Sequence, residues 1–314
     1  MRRLIKILRG LVLMVVLFVL GFVVISWAPD RSVDELKARW APAPSTFVNI
    51  DGLQVHIRDQ GPRDDAEPLF LLHGTSASLH TWQGWAAQLK ARHRIISIDL
   101  PGFGLTGPFI DGDYSLDHYQ RFLEQLFAQL KLQKVTVVGN SFGGQLAWLF
   151  AVKQPQHVGH LVLIDAAGYP RQSSSVPLGF RLAQNPILGP LMSKILPRKM
   201  IESSVRNVYG DPTKVTDQLV ERYYQLTLRE GNRQALIERF KQVKNTDYAQ
   251  LKQLKVPTLI IWGGQDRLIT PANAERFASD IDGSRLLIFE DLGHVPQEED
   301  PLNTSAALTA FLGQ

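Results

Sequence analysis

Ser141 lies at the centre of Gly139-Asn140-Ser141-Phe142-Gly143, between the apolar run Lys134–Val138 and the helical pattern that begins at Gln145. A serine with glycine two positions to either side, placed between a strand and a helix, fits a sharp strand-to-helix turn. Side chains at Gly139 or Gly143 would meet neighbouring backbone there, and Gly144 extends the same clearance. Such a turn holds a hydroxyl at the top of a sheet. It also aims the Phe142 N–H and the helix N-terminus at any negative charge that forms beside the hydroxyl. The chemistry that uses this arrangement is nucleophilic attack on a carbonyl.

Two further segments supply what that attack needs. Upstream, the strand-like Leu69-Phe70-Leu71-Leu72 ends in His73-Gly74-Thr75. Gly74 permits a tight turn there, and the Thr75 N–H is a second oxyanion donor beside that of Phe142. Downstream, the apolar Thr258–Trp262 is followed by Asp266, and the strand-like Arg285–Phe289 by Leu292-Gly293-His294. Serine, aspartate and histidine therefore follow three strands in that order. In a parallel sheet this gathers them at one edge.

On these motifs the chain resembles the α/β-hydrolase superfamily from about Phe47 to Phe311. Asp99-Leu100-Pro101-Gly102-Phe103-Gly104 is similar to that family's D-x-P-G-x-G turn, and Leu163-Ile164-Asp165 to the strand end after its nucleophile helix. The resemblance implies an α/β fold with a mostly parallel sheet, flanking helices and an inserted helical cap. It also implies Ser141 as nucleophile, Asp266 as acid, His294 as base and Thr75 and Phe142 as backbone oxyanion donors, with Gly74, Gly139 and Gly143 as structural glycines. Gly293-His294-Val295-Pro296, Asp165-Ala166-Ala167-Gly168-Tyr169 and Trp262–Asp266 look like the small bacterial lipase and esterase branch. The elbow itself is also a form used by carbon–carbon bond hydrolases of ring-cleavage (meta-cleavage) products. In those, however, tryptophan usually follows the histidine.

In this reading His294 takes the Ser141 proton and returns it to the leaving group, while Asp266 fixes the imidazole tautomer. No cofactor or metal is expected, since the eight histidines show no ligand spacing. Asp165 is a rival acid, with bonding to loop backbone as its simpler role. Asp99 is expected to cap a turn and His73 to orient the oxyanion loop. His56, His80, His93, His118, His157 and His160 have no motif context and read as surface or satisfied core residues.

The elements around these residues divide the chain. Residues 46–169 and 251–314 form the core, and 170–250, with helical stretches and no strand alternation, form a cap. The cap begins with Leu178, Phe180, Ile187, Leu191, Met192, Ile195, Leu196 and Met200, an apolar set suited to an acyl chain or aromatic group, or to the cap's own packing. Residues 1–29 are a cytoplasmic tip and an anchor. Gly10–Trp27 is uncharged and almost continuously apolar, long enough to span a bilayer.

Arg2, Arg3, Lys6 and Arg9 precede that span and would stay in the cytoplasm, leaving the catalytic domain on the extracytoplasmic, periplasmic side. A cleaved signal peptide is the competing reading, weakened by Pro29 and Pro44 directly after the candidate cleavage sites. Residues 30–45 would be a short stem, with Trp27 and Trp40 at the membrane interface. The formal charge of +4 is matched by the four cations before the span, so it gives no support to nucleic-acid binding. With no cysteine, the fold relies on its core alone. The sequence thus predicts a membrane-anchored serine hydrolase of carboxylic esters acting on a small-molecule ester. The alternatives are a carbon–carbon bond hydrolase on the same three residues and a tethered sensor with negligible turnover.

Overall fold

Aliphatic runs without alternation, such as Val135–Asn140 and Thr258–Gly263, are what strands covered on both faces require, and both are buried along their full length. The computed structural model describes residues 2–170, 173–185, 188–189, 193–242 and 246–313. Its single sheet has eight strands: β1 (Ser45–Ile50), β2 (Leu53–Gln60), β3 (Leu69–Leu72), β4 (Ile95–Ile98), β5 (Val135–Asn140), β6 (Val158–Ile164), β7 (Thr258–Gly263) and β8 (Arg285–Phe289). They lie in the order β1-β2-β4-β3-β5-β6-β7-β8. β2 is antiparallel to β1 and β4, and every pairing from β4 to β8 is parallel. This is the α/β-hydrolase arrangement expected from the motifs, with β5, the strand that feeds Ser141, in the interior of the sheet.

Separate buried clusters cover the two faces. One joins the helices Leu116–Gln129, Phe142–Lys153 and Ala272–Asp280 through Leu123, Leu146 and Phe277. The other joins Gln83–Leu89 to Pro301–Leu312 through Trp85 and Leu308, and there the Trp85 indole donates to Thr304 Oγ1 at 2.9 Å. Between β6 and β7 the chain forms the helices Leu178–Ala183, Arg198–Val208, Asp217–Thr227 and Asn232–Gln242, with no strand among the described residues of 170–250. Of the apolar cap residues, Ile187, Leu191 and Met192 lie outside the described residues. Phe180, Leu196 and Met200 face the central cavity, while Ile195 is buried and Leu178 exposed.

The N-terminal helix Arg2–Ser26 carries its apolar side chains outward, and its length and composition suffice to cross a membrane. The segment after this helix is not a plain stem. Trp27 bridges to Ile195, the Ala28 N–H donates to Lys194 O and the Leu196 N–H to Ser26 O, both at 3.0 Å. Arg31 exchanges backbone bonds with Leu228 and Glu230, and Asp30 pairs with the buried Arg233 at 2.6 Å. Residues Val33–Trp40 form a helix, opened by a reciprocal capping box between Ser32 and Glu35.

Leu36 and Trp40, one turn apart, are buried against Leu105 and Leu226. Trp40 is therefore not an interfacial residue: its indole donates to Gln225 Oε1 at 2.7 Å inside the protein. Trp27 is exposed. The charged residues between Asp30 and Arg39 mask an amphipathic helix whose apolar stripe has only two members.

Candidate active site

β5 runs directly into the helix Phe142–Lys153, and the turn between them puts Ser141 at φ 55°, ψ −117°. A non-glycine residue in that region costs about 1–3 kcal/mol, which the surroundings must impose. They do so through backbone bonds on both sides: the Ser141 N–H donates to Ile164 O at 2.9 Å, and the Ala167 N–H donates to Ser141 O at 3.0 Å. The crossing of strand and helix leaves no room for side chains. A Cβ on Gly139 would sit 2.2 Å from Gly143 O, and one on Gly143 would sit 2.3 Å from Leu72 O. Gly74 packs close to Ser141 from the oxyanion loop, where a Cβ would come within 3.0 Å of the serine Cβ.

Asp266 and His294 follow β7 and β8 and meet each other: His294 Nδ1 is 2.7 Å from Asp266 Oδ2. The other carboxylate oxygen accepts the Leu268 and Ile269 N–H groups at 2.7 and 3.0 Å, which fixes its orientation. With Asp266 accepting from Nδ1–H, the imidazole presents Nε2 as a base. The histidine backbone is held from three sides. Its N–H donates to Val208 O of the cap at 2.7 Å. Its carbonyl accepts from Asn140 Nδ2 at 2.9 Å, and Glu299 accepts the adjoining Gly293 N–H at 2.9 Å. Ser141, His294, Thr75 and Phe142 all line one cavity of about 1100 Å³ between core and cap. Such a site is equipped to deprotonate a hydroxyl and to receive an oxyanion.

Asp165, the rival acid, lies beside this pair. One oxygen of each carboxyl and a ring nitrogen of His294 all fall within 4.8 Å of one another. Asp165 Oδ1 accepts the Gly263 N–H at 3.0 Å, whereas Oδ2 receives no hydrogen bond from a donor among the described residues. Burial, the Asp266 charge and a hydrogen bond between the two carboxyls raise its pKa well above the usual range; Glu299 adds to this and the Gly263 N–H opposes it. Two carboxylates this close in one buried site repel each other, which favours the protonated form of Asp165.

A carboxyl whose pKa rises on folding loses stability as pH climbs above its unfolded value of about 3.9, because the unfolded chain ionises there and the folded one does not. Asp165→Asn, which keeps a donor toward Asp266, is therefore expected to raise the Tm at pH 8 above that of the parent protein. The gain should vanish toward pH 4. Melting curves of both proteins across that range check it; a Tm difference independent of pH would mean that Asp165 is ionised.

Asp99 is a hub of the turn that follows β4. It accepts the Leu79 and Leu105 N–H groups, each at 2.7 Å, and His56 Nδ1 lies 2.7 Å from its Oδ2. Burial opposes ionisation of Asp99, yet His56, with smaller help from His73 and His80, holds its pKa well below the ordinary value. His73 spans from the oxyanion loop to this turn, its Nδ1 2.7 Å from Gly74 O and its Nε2 accepting the Leu100 N–H at 2.9 Å. Because Nε2 accepts this N–H, the ring bonds as a neutral imidazole, and burial lowers its pKa in the same sense.

His80 is likewise buried and pushed down to about 3, by burial first and by the Arg58 and Arg222 cations, against the pull of Asp99. Its Nε2 lies 2.7 Å from Trp40 O. His56 and His80 are thus satisfied core residues, in a polar network that reaches from the N-terminal helix segment to the oxyanion loop.

Several functional neighbours have no local motif. Asn140 carries the His294 carbonyl, and Glu299 holds the Gly293, Gly210 and Asp211 N–H groups. From the cap, Arg239 reaches Thr75 Oγ1 at 2.8 Å. The elbow pattern G-N-S-F-G contained Asn140, but only the fold shows what its amide holds.

Comparisons with known proteins agree with this architecture. The sequence matches the family described as the alpha/beta hydrolase fold over residues 67–301. It is 29% identical over 275 residues to the 2-hydroxy-6-oxononadienedioate/2-hydroxy-6-oxononatrienedioate hydrolase of Escherichia coli, covering 82% of this chain and 91% of that one. Among solved structures, a bacterial membrane phospholipase A described as a virulence factor superposes with a TM-score of 0.74 at 25% identity, covering 100% of this chain and 98% of its own. A meta-cleavage product hydrolase of Pseudomonas fluorescens shares the fold, with a TM-score of 0.75 at 23% identity, covering 85% and 97% of the two chains.

Proposed function

The chain belongs to the α/β-hydrolase fold family, and from that membership we propose that it is a membrane-anchored serine hydrolase of carboxylic esters. Ser141 attacks the ester carbonyl, His294 takes the serine proton and delivers it to the departing alkoxide, and Asp266 stabilises the imidazolium so formed. The Thr75 and Phe142 N–H groups receive the oxyanion. Water, activated by the same histidine, then releases the acid and restores the serine. The observation that carries this reading is the 2.7 Å pair of His294 and Asp266, whose histidine opens onto the cavity it shares with Ser141.

The apolar walls of that cavity, among them Phe180, Leu196, Met200, Ile201 and Leu236, favour an acyl chain or an aromatic group over a polar substrate. The helix Arg2–Ser26 would be the anchor, with the basic tip in the cytoplasm and the hydrolase beyond the membrane. Ala28, just past the helix, packs on the cavity-lining Leu196. This proximity, together with the likeness to a membrane phospholipase A, supports ester substrates drawn from the bilayer.

A second reading, hydrolysis of a carbon–carbon bond in a vinylogous diketone, is favoured by the Escherichia coli relative. The pair Val295-Pro296 after His294 weighs against it. Product analysis separates the two, as an ester yields an acid and an alcohol and the diketone yields two carbonyl-containing fragments. With p-nitrophenyl esters from acetate to palmitate, turnover is expected to peak at an intermediate or long chain. Long esters should gain most when the full-length protein is in liposomes. The bilayer idea fails if long and short esters are hydrolysed in the same ratio there and by protein lacking the residues before Asp30. Tight ligand binding with negligible turnover on every substrate would point to a sensor instead.

A further inference from the structure

The cap helix Asn232–Gln242 buries an arginine in the wall of the reaction cavity, where a charged side chain is costly unless it is held on several sides. Arg239 is 7% exposed. Its Nη2 donates to Thr75 Oγ1 at 2.8 Å, and its guanidinium carbon lies 4.3 Å from the centre of the Phe142 ring. The rings of Phe240 and Phe103, at 5.2 and 5.8 Å, complete an aromatic surround. Such contacts suit the planar, weakly hydrated guanidinium better than an ammonium.

Thr75 and Phe142 are the two residues assigned above to the oxyanion hole, and they come from different loops, after β3 and after β5. One cap side chain thus touches both. Its helix is itself fixed to the core at its two ends. Asn232 Nδ2 donates to Gly104 O at 2.9 Å. Gln242 accepts the Tyr114 N–H at 2.7 Å and donates to Gly112 O at 2.9 Å. Phe142 is in turn packed edge-on against Tyr119, whose hydroxyl donates to Pro101 O.

We propose that Arg239 is a positioning residue of the oxyanion hole, a cation supplied by the cap that aligns the Thr75 and Phe142 loops with each other and lends fixed positive charge to their N–H groups. This rests on the serine-hydrolase reading. The two N–H groups must converge on one point about 3 Å away to be effective. A bridge between their side chains sets that convergence before substrate arrives, and a permanent charge in a dry wall reinforces it.

The test measures steady-state hydrolysis of a neutral ester and of an ester carrying a carboxylate. It also measures inhibition by a trifluoromethyl ketone, whose serine adduct carries an oxyanion. Both use the full-length protein with Arg239→Met, Arg239→Lys and Thr75→Val, beside Ser141→Ala. Arg239→Met should lower kcat about 10- to 100-fold on both esters, somewhat less than loss of a direct donor, with KM changed less than threefold. Ketone affinity should fall by about the same factor as kcat/KM. Arg239→Lys should recover part of the loss. Thr75→Val, which keeps the N–H but not the hydroxyl, should reproduce part of it and be less than additive with Arg239→Met.

Unchanged kcat in Arg239→Met, with Ser141→Ala inactive, overturns the proposal alone. So does a loss confined to KM for the anionic ester, which would make Arg239 a substrate-carboxylate ligand. Full activity in Ser141→Ala would overturn the assignment of Ser141 as nucleophile, and with it the serine-hydrolase reading, instead. If Arg239→Met does not fold, the lysine and Thr75 variants decide: wild-type kcat and ketone affinity in both refute the proposal.

Discussion

Ser141→Ala is expected to lower ester turnover by about 10⁴- to 10⁶-fold and to abolish labelling by a fluorophosphonate probe, the range seen when a serine hydrolase loses its nucleophile. The substitution is nearly silent for the fold. Alanine meets the same strain at φ 55° as serine does, and the bonds that hold the elbow are backbone bonds to Ile164 and Ala167, which alanine keeps. The melting temperature should therefore stay within a few degrees of the parent, and the lost rate reports chemistry. The decisive comparison is probe labelling of both proteins after their melting curves have been matched. If the alanine variant still labels, another nucleophile is at work and the site has been misassigned.

Trp40→Ala should destabilise the protein by about 3–5 kcal/mol, or on the order of 10 °C in Tm. The indole is buried with Leu36, Leu105 and Leu226, so its removal leaves a cavity. It also strips the donor from Gln225 Oε1, a further cost of the kind incurred by an unsatisfied buried polar atom. The residue lies in a segment with the composition of a solvated tether, for which the ordinary expectation is within about 0.5 kcal/mol. Thermal melts of protein lacking only the N-terminal apolar helix, with and without the substitution, distinguish the two. A shift of a degree or less would mean that residues 33–40 do not pack as described.

The catalytic candidates were legible in the sequence because each is announced locally. Ser141, Asp266 and His294 each follow an apolar run, and the glycines around Ser141 satisfy a backbone crossing that spans only the five residues from Gly139 to Gly143. The parallel sheet was legible for the same reason, through uninterrupted aliphatic strands. Arg239 was not, because the contact that gives it meaning is made to Thr75, 164 residues away in the chain. Trp40 reaches Gln225 across 185 residues, and two buried positions in an eight-residue helix do not raise an amphipathic pattern above its charged neighbours. Asp165 was visible as a strand-end acid, but its raised pKa follows from burial and the proximity of Asp266, which only the fold shows.

The run from Arg31 to Ser45 has a mechanical consequence. It is fastened to the cap at Arg31 and ends in the first strand of the sheet, and between them Trp40 is bonded both to Gln225 of the cap and, through its carbonyl, to His80 of the core. The strap thus ties cap to sheet, beside the bonds from Val208, Asn232 and Gln242 that also join them. The apolar helix is continuous with the cap end of this strap, through Trp27–Ile195 and Ala28–Lys194. If that helix is fixed in a bilayer, the cap is tied to it directly and the sheet with Ser141 through the strap.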